Sequence, residues 1–279
     1  MKKGAAFDKI KGIVFLFCCS IIWGTAFVFQ DQIGSSLSPL AVNGIRMCLG
    51  AISLLPYLFI KKVKIRNPKI ILGGVICGLV LTAAAFFQQY GISAYTPEEA
   101  AAGKAGFLTA LYIILVPVIT LFMGKKLKLP LVISILLALV GLYLICIKSS
   151  GSISPGDIFV IISSVCFAAH IMVVEHFVHY GDGVLLSVIQ MLTVSAVSLT
   201  ISFIFEHNDY SNITTVWFPL LFLGVFSSGI AYTFQILGQK YLAEPTVSTL
   251  IMSLECVFAA LAGWVFTGER LSPKELLGC

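Results

Sequence analysis

Residues 105–128 read AGFLTALYIILVPVITLFMGKKLK: twenty positions without a formal charge, then three lysines in four. Twenty apolar residues in a helix rise about 30 Å, the thickness of a bilayer core. The lysines that follow hold the end of the run in water on one side. The run is too long for an ordinary buried strand and too uniformly apolar for an amphipathic surface helix.

The rest of the chain repeats this pattern. Hydrophobic residues make up 58% of the 279 residues and charged ones 11%, with a mean hydropathy of +1.01. Soluble domains are about 25% charged, so this chain cannot cover a soluble surface with polar groups. That excludes a cytosolic enzyme, a secreted disulfide module and a disordered chain. The net charge of +5 falls in short runs between apolar stretches, which is membrane topology rather than nucleic-acid binding. Seven of the eight cysteines lie in apolar stretches with no CxxC pair, and read as small hydrophobes. No metal or other cofactor is implied.

Nine stretches have membrane length: 11–30, 39–60, 70–93, 99–123, 129–147, 156–177, 184–205, 216–238 and 244–267. The segment MKKGAAFDKIKG leads into the first without a small-residue cleavage site, so it reads as a membrane helix and not a removed signal. Pro39, Pro97, Pro130, Pro155, Pro245 and Pro273 fall near helix starts, where a missing N–H costs nothing. Pro56 and Pro117 lie inside spans and are expected to kink them. With the N-terminus in the cytoplasm, thirteen Lys and Arg fall inside and three outside, which predicts a multi-pass plasma-membrane protein of that orientation.

A shift of 144 residues lays the chain on itself. Trp23 meets Phe167, Arg46 meets Gln190, and Gly124-Lys125-Lys126-Leu127 meets Gly268-Glu269-Arg270-Leu271. The unit holds five spans. An odd number forces the second copy to run upside down, as in secondary transporters with a midplane site between the halves. The division is 1–147 for the first repeat and 148–279 for the second. The repeat places a tenth span at about 273–291 while the sequence stops at Cys279, so the tenth helix is expected to be truncated.

Three runs carry a resemblance: SIIWGTAFV at 20–28, GKAGFLTALYIILVPVITLFMGKKL at 103–127, and LECVFAALAGWVFTGERLS at 254–272. They resemble the EamA family of the drug/metabolite transporter superfamily. The resemblance implies an all-α membrane fold of ten helices in two inverted five-helix repeats. It also implies cytoplasmic ends and transport of small metabolites through a central cavity. Amino acids, sugars, nucleotide precursors and toxic compounds are the substrates of such proteins.

Ionisable groups inside spans mark pathways by default. Arg46 lies in the second span with Asn43 one turn earlier, a cation and an amide for a cavity, or a cation snorkelling to the interface. Gln190 at the mirrored position favours the cavity. Lys104 sits among alanines in the fourth span, where it can hold an anionic substrate group, snorkel outward, or pair with Glu98 or Glu99. Thr109 and Tyr112 share a face of that span, and Gln88 and Tyr232 are near repeat images. Trp23 is mid-span, as core packing or cavity wall. His170, Glu175, His176 and His179 match no zinc motif, and His170 alone is deep enough for a cavity. Glu255 is the deepest acid. It can carry a proton through an alternating cavity, bridge helices as a neutral acid, or pair with Lys104 or Arg46.

There is no GxxxxGK[ST] motif to bind ATP phosphates. The expected activity is therefore secondary transport by alternating access, in the export direction. The cargo is a small polar organic metabolite such as an amino acid, and the energy comes from a substrate, proton or other ion gradient. An integral-membrane enzyme would want acids or histidines clustered at an interface. A structural or sensory subunit would not need mirrored polar groups.

Overall fold

The computed structural model describes residues 2–34, 36–96, 101–146, 154–206, 210–268 and 272–279. Among these residues every regular element is helical. Eight passes of 20 to 29 residues are long and apolar enough to cross a bilayer, and a shorter apolar helix makes a ninth. All nine expected spans are present.

Three passes of the first half are continuous: α1 (Lys2–Gly34), α2 (Pro39–Ile60) and α3 (Lys69–Ser93). The fourth is split into α4 (Ala101–Thr109) and α5 (Tyr112–Phe122), and α6 (Leu129–Cys146) is the fifth. The second half opens with α7 (Pro155–Phe177) and α8 (Gly183–Phe205). Its third pass joins α9 (Trp217–Phe222) to α10 (Tyr232–Leu242) through a π-helical stretch, Leu223–Ala231. Its fourth is split into α11 (Pro245–Met252) and α12 (Glu255–Ala262). A further helix, α13 (Pro273–Gly278), begins where the repeat places the tenth span and packs on α6.

Local chemistry sets these limits. Pro39, Pro155, Pro245 and Pro273 each open a helix, with φ already helical and no N–H to leave orphaned. Ser154–Asp157 and Ser272–Glu275 form capping boxes. Asp182 accepts from the N–H groups of Val184 and Leu185 at the start of α8. Pro56 is carried within α2, which runs on to Ile60 without a break. Pro97 and the acidic pair Glu98-Glu99 lie outside the described residues.

The halves run in opposite senses. The start of α3 meets the end of α7, where the Lys69 ammonium lies 5.0 Å from the Tyr180 ring centroid. Just past the end of α3, the Tyr95 hydroxyl donates to Asp157, in the first turn of α7, over 2.9 Å. Hence α7 runs antiparallel to α3, and so antiparallel to its own repeat image, α1. One face of the bundle carries the lysine-rich segments around Lys9, Lys61–Lys69 and Lys125–Lys128. The other carries Tyr95, Lys104 and Asp157.

Ion pairs join the halves at both faces, on repeat-related passes. On the opposite face Lys104 of α4 holds Asp157 of α7 at 2.9 Å, with side chains 24% and 7% exposed. On the lysine-rich face Lys9 of α1 reaches Glu244, at the start of α11, over 3.7 Å, with side chains 59% and 55% exposed. Apolar side chains fill the midplane between them, including Leu16, Met47, Leu81, Met191 and Met252.

Candidate functional site

The two split passes break in the same way. In the fourth, the Leu111 N–H bonds to Leu108 and that of Ile113 to Ala110, a tightened turn of i−3 bonds. In the ninth, Leu254 bonds to Ile251 and Cys256 to Ser253. The patterns superpose at a shift of 143 residues. The side chains beside them differ. Pro117 removes a helical N–H one turn beyond the first break. At the second, the Ser253 hydroxyl donates to the Leu250 carbonyl over 2.8 Å.

Tyr112 opens α5 and Glu255 opens α12, so the two residues are images of each other. The Tyr112 hydroxyl donates to Glu255 Oε1 over 2.8 Å. The positive ends of two oppositely directed half-helices therefore begin side by side, and the Glu255 carboxyl sits at one of them. Cys19 on α1 and Tyr232 on α10 are its other ionisable neighbours.

A cavity lies against this joint; the atom-free space in and around it, open solvent included, is about 350 Å³. Its walls come from both halves. From α1 come Trp23, Ala26, Phe27 and Gln30, spaced as one helical stripe. Arg46, Gln88, Thr109 and Tyr112 come from α2 to α5. Phe167, Ser227, Tyr232 and Glu255 are the contribution of the second half.

Each polar wall has a distinct arrangement. The Trp23 indole donates to the Ser227 carbonyl over 3.1 Å, and its ring packs edge-on against Tyr232 with centroids 5.0 Å apart. Gln30 donates to the Oε1 atoms of Gln88 and Gln89, each at 3.2 Å. Gln88 donates on to the Thr109 hydroxyl at 3.1 Å. The Arg46 guanidinium is 2% exposed, and its Nε donates to Asn43 Oδ1 over 3.0 Å. The Tyr232 hydroxyl interacts with the same guanidinium. Arg46 Nη2 has no hydrogen-bond partner among the described residues.

Seven of the eleven residues singled out from sequence line this cavity: Trp23, Arg46, Gln88, Thr109, Tyr112, Tyr232 and Glu255. Asn43 stands behind Arg46 and holds its Nε. His170 and Gln190 bond to each other at 3.0 Å behind Tyr232, and neither lines the cavity. Lys104 is not on the wall either. Its ammonium is drawn to Asp157 at the opposite face, over the Tyr95 ring. Glu255 does not pair with Lys104 or Arg46 among the described residues; Tyr112 takes that place. Glu175 faces Gln239, and the His176 ring packs on Phe177 and Tyr180, so the histidine segment does not converge on one point.

Five wall residues were missed. Ala26, Phe27 and Gln30 continue the Trp23 stripe at i+3, i+4 and i+7, a signal present in the sequence. Phe167 is the repeat image of Trp23. Ser227 is placed by the π-helical stretch, which carries no sequence signal.

Comparisons with known proteins agree with this architecture. The model of the EamA-like transporter family matches residues 10–147 and again 154–279. An uncharacterized transporter of Archaeoglobus fulgidus is 28% identical over 260 residues, 93% of this chain and 79% of that one. The uncharacterized transporter YoaV of Bacillus subtilis is 25% identical over 279 residues, 96% of this chain and 93% of its own. A solved crystal structure superposes with a TM-score of 0.79 at 17% identity, covering 96% of this chain and 92% of the other, and shares the fold.

Proposed function

This chain belongs to the EamA-like transporter family, within the drug/metabolite transporter superfamily, and from that premise we propose a secondary exporter of small polar organic metabolites, amino acids among them, working by alternating access. One observation carries the reading. The cavity lies where both halves break a helix, and Tyr112 and Glu255 join the two breaks across the midplane. A site held by elements of both repeats changes shape when the repeats rock against each other. The ion pairs at the two faces, Lys104–Asp157 and Lys9–Glu244, join the same halves and must part in turn.

In this reading the two repeats are 1–147 and 148–279. The lysine-rich face is cytoplasmic and the membrane is the plasma membrane, as the charge bias of the loops predicts. Energy comes from a gradient, and Glu255 is the buried acid through which a proton gradient acts. The test is counterflow in proteoliposomes loaded with an amino-acid mixture and no ATP. Exchange of at least one component above protein-free vesicles is expected. Absence of exchange for every component overturns the proposal.

A further inference from the structure

The two repeats contribute unequally to the cavity wall. On α1 the wall takes Trp23, Ala26, Phe27 and Gln30. At a shift of 144 residues these meet Phe167, His170, Ile171 and Val174 of α7, and of these four only Phe167 lines the cavity. Arg46 lines it, and its image Gln190 does not. Since α7 runs antiparallel to α1, the two stripes lead opposite ways. From Trp23 to Gln30 the α1 stripe runs away from Lys9, toward the face of Tyr95 and Asp157. From Phe167 to Val174 the α7 stripe runs toward Tyr180 and Lys69, on the lysine-rich face. The cavity thus follows the first repeat, and the equivalent stripe of the second is packed away.

The packed stripe carries unused polar capacity. His170 and Gln190 are both fully buried and bond to each other at 3.0 Å. The Tyr232 ring, on the cavity wall, meets the His170 ring edge-on with centroids 6.2 Å apart and screens the pair from the cavity. Gln190 Oε1 can only accept, so His170 Nε2 is the donor, and in the neutral ring Nδ1 is left a bare acceptor. Among the described residues, neither His170 Nδ1 nor Gln190 Nε2 has a hydrogen-bond partner. Buried polar atoms without partners are costly, the more so at membrane depth. We infer that His170 and Gln190 form a second contact point for the cargo, covered in this structure and reached when the lysine-rich side opens. This rests on the alternating-access reading, in which the repeats exchange shapes and the α7 stripe takes the place that the α1 stripe holds here. The pair offers an acceptor and a donor without net charge. It therefore takes an uncharged group that does both, a hydroxyl or a carboxamide. A carboxylate meets the Nδ1 lone pair, and the pair supplies no counter-charge for an ammonium.

Two measurements on the full chain test it. The first is labelling in membrane vesicles of known sidedness, in a background cleared of native cysteines. Val174→Cys should react with an impermeant methanethiosulfonate applied to the lysine-rich side and not from the other; Gln30→Cys should do the reverse. Neither substitution touches the His170–Gln190 pair. The second is counterflow without ATP, with threonine against valine and asparagine against leucine, pairs of similar shape that differ in the polar group. On the lysine-rich side the polar member of at least one pair should half-saturate at a concentration about fivefold lower, the size of one neutral hydrogen bond. The double variant His170→Leu/Gln190→Leu removes both partners and leaves neither orphaned. It should erase that preference on the lysine-rich side and leave half-saturation on the opposite side unchanged.

A reactive Gln30→Cys beside a Val174→Cys that stays unreactive from the lysine-rich side overturns the inference and leaves the transporter reading standing. Equal half-saturation within both pairs does the same, as does a preference that survives in the double variant. Counterflow of other amino acids but of none of these four also defeats this inference alone. The labelling and the wild-type pairs decide even if the double variant does not fold. No counterflow of any component, with neither cysteine reactive from either side, defeats the transporter reading and this inference with it.

Discussion

Tyr112 and Glu255 stand 143 residues apart, each the first residue after a helix break, and the hydroxyl of one donates to the carboxyl of the other over 2.8 Å. A bond between two residues that a pseudo-two-fold relates has to lie on the axis. In the proposed cycle the pair therefore marks the pivot, where displacement is smallest when the repeats exchange roles. It can persist through the whole cycle while the contacts at both faces break.

Tyr112→Phe tests the pivot. It keeps the ring and removes the donor, leaving Glu255 Oε1 buried without a partner, a loss of about 1–3 kcal/mol. A lower melting temperature and slower counterflow at saturating substrate are expected. Wild-type values for both would show that the bond holds nothing.

Glu255→Gln keeps an acceptor for Tyr112 and cannot ionise. Downhill exchange at saturating substrate should survive, while accumulation driven by an imposed pH gradient should be lost. Retained pH-driven accumulation would remove the proton role and leave Glu255 as a binding residue.

Gly24 faces α12 so closely that a Cβ would lie 2.5 Å from Phe258 Cβ and 2.6 Å from the Glu255 carbonyl oxygen. Gly24→Ala must push α12 off α1, and a loss of about 1–3 kcal/mol is expected, as for other overpacked sites. In Gly103→Ala the new methyl meets nothing within 4 Å, and helix propensity favours it by about 1 kcal/mol. Thermal unfolding of the purified variants checks both signs; equal effects would contradict the packing account.

Asp157→Asn removes the charge that holds Lys104 at the opposite face. A cysteine at Gln88, in a background cleared of native cysteines, should then react faster with an impermeant maleimide added outside intact cells. An unchanged rate would show that this pair does not close the cavity.

Orientation is checked the same way. A cysteine at Lys64 should label only after cells are opened, and one at Thr215 in intact cells. Equal labelling of the two in intact cells is the result that defeats the inverted arrangement in the membrane.

The passes were legible because lipid demands long uncharged runs, and their starts because Pro39, Pro155, Pro245 and Pro273 sit where helices begin. The 144-residue repeat located the second half and paired Trp23 with Phe167. What stayed hidden was the breaks. Pro117 predicts a disturbance, but the tightened turn falls one turn earlier, and nothing at 253–254 announces its twin, since serine is common in unbroken helices. Periodicity also could not separate residues on the wall from those one layer behind. Arg46 and Asn43 share a face, yet only Arg46 reaches the cavity. Lys104 looked like a cavity cation because its partner, Asp157, is 53 residues away and belongs to the other repeat.

The ion pairs at the two faces are unequal: one is short and largely buried, the other long and open to water, where salt screens it and it adds little. In the proposed alternating cycle, that inequality weights the resting carrier toward opening at the lysine-rich face. Such a weighting cannot by itself move anything uphill, because microscopic reversibility fixes the product of rate constants around the cycle. It does set unlike half-saturation concentrations on the two sides of the membrane. With no gradient applied, the ratio of maximal rate to half-saturation has to be the same in both directions. In the proposed export cycle, any departure from that equality measures the driving gradient.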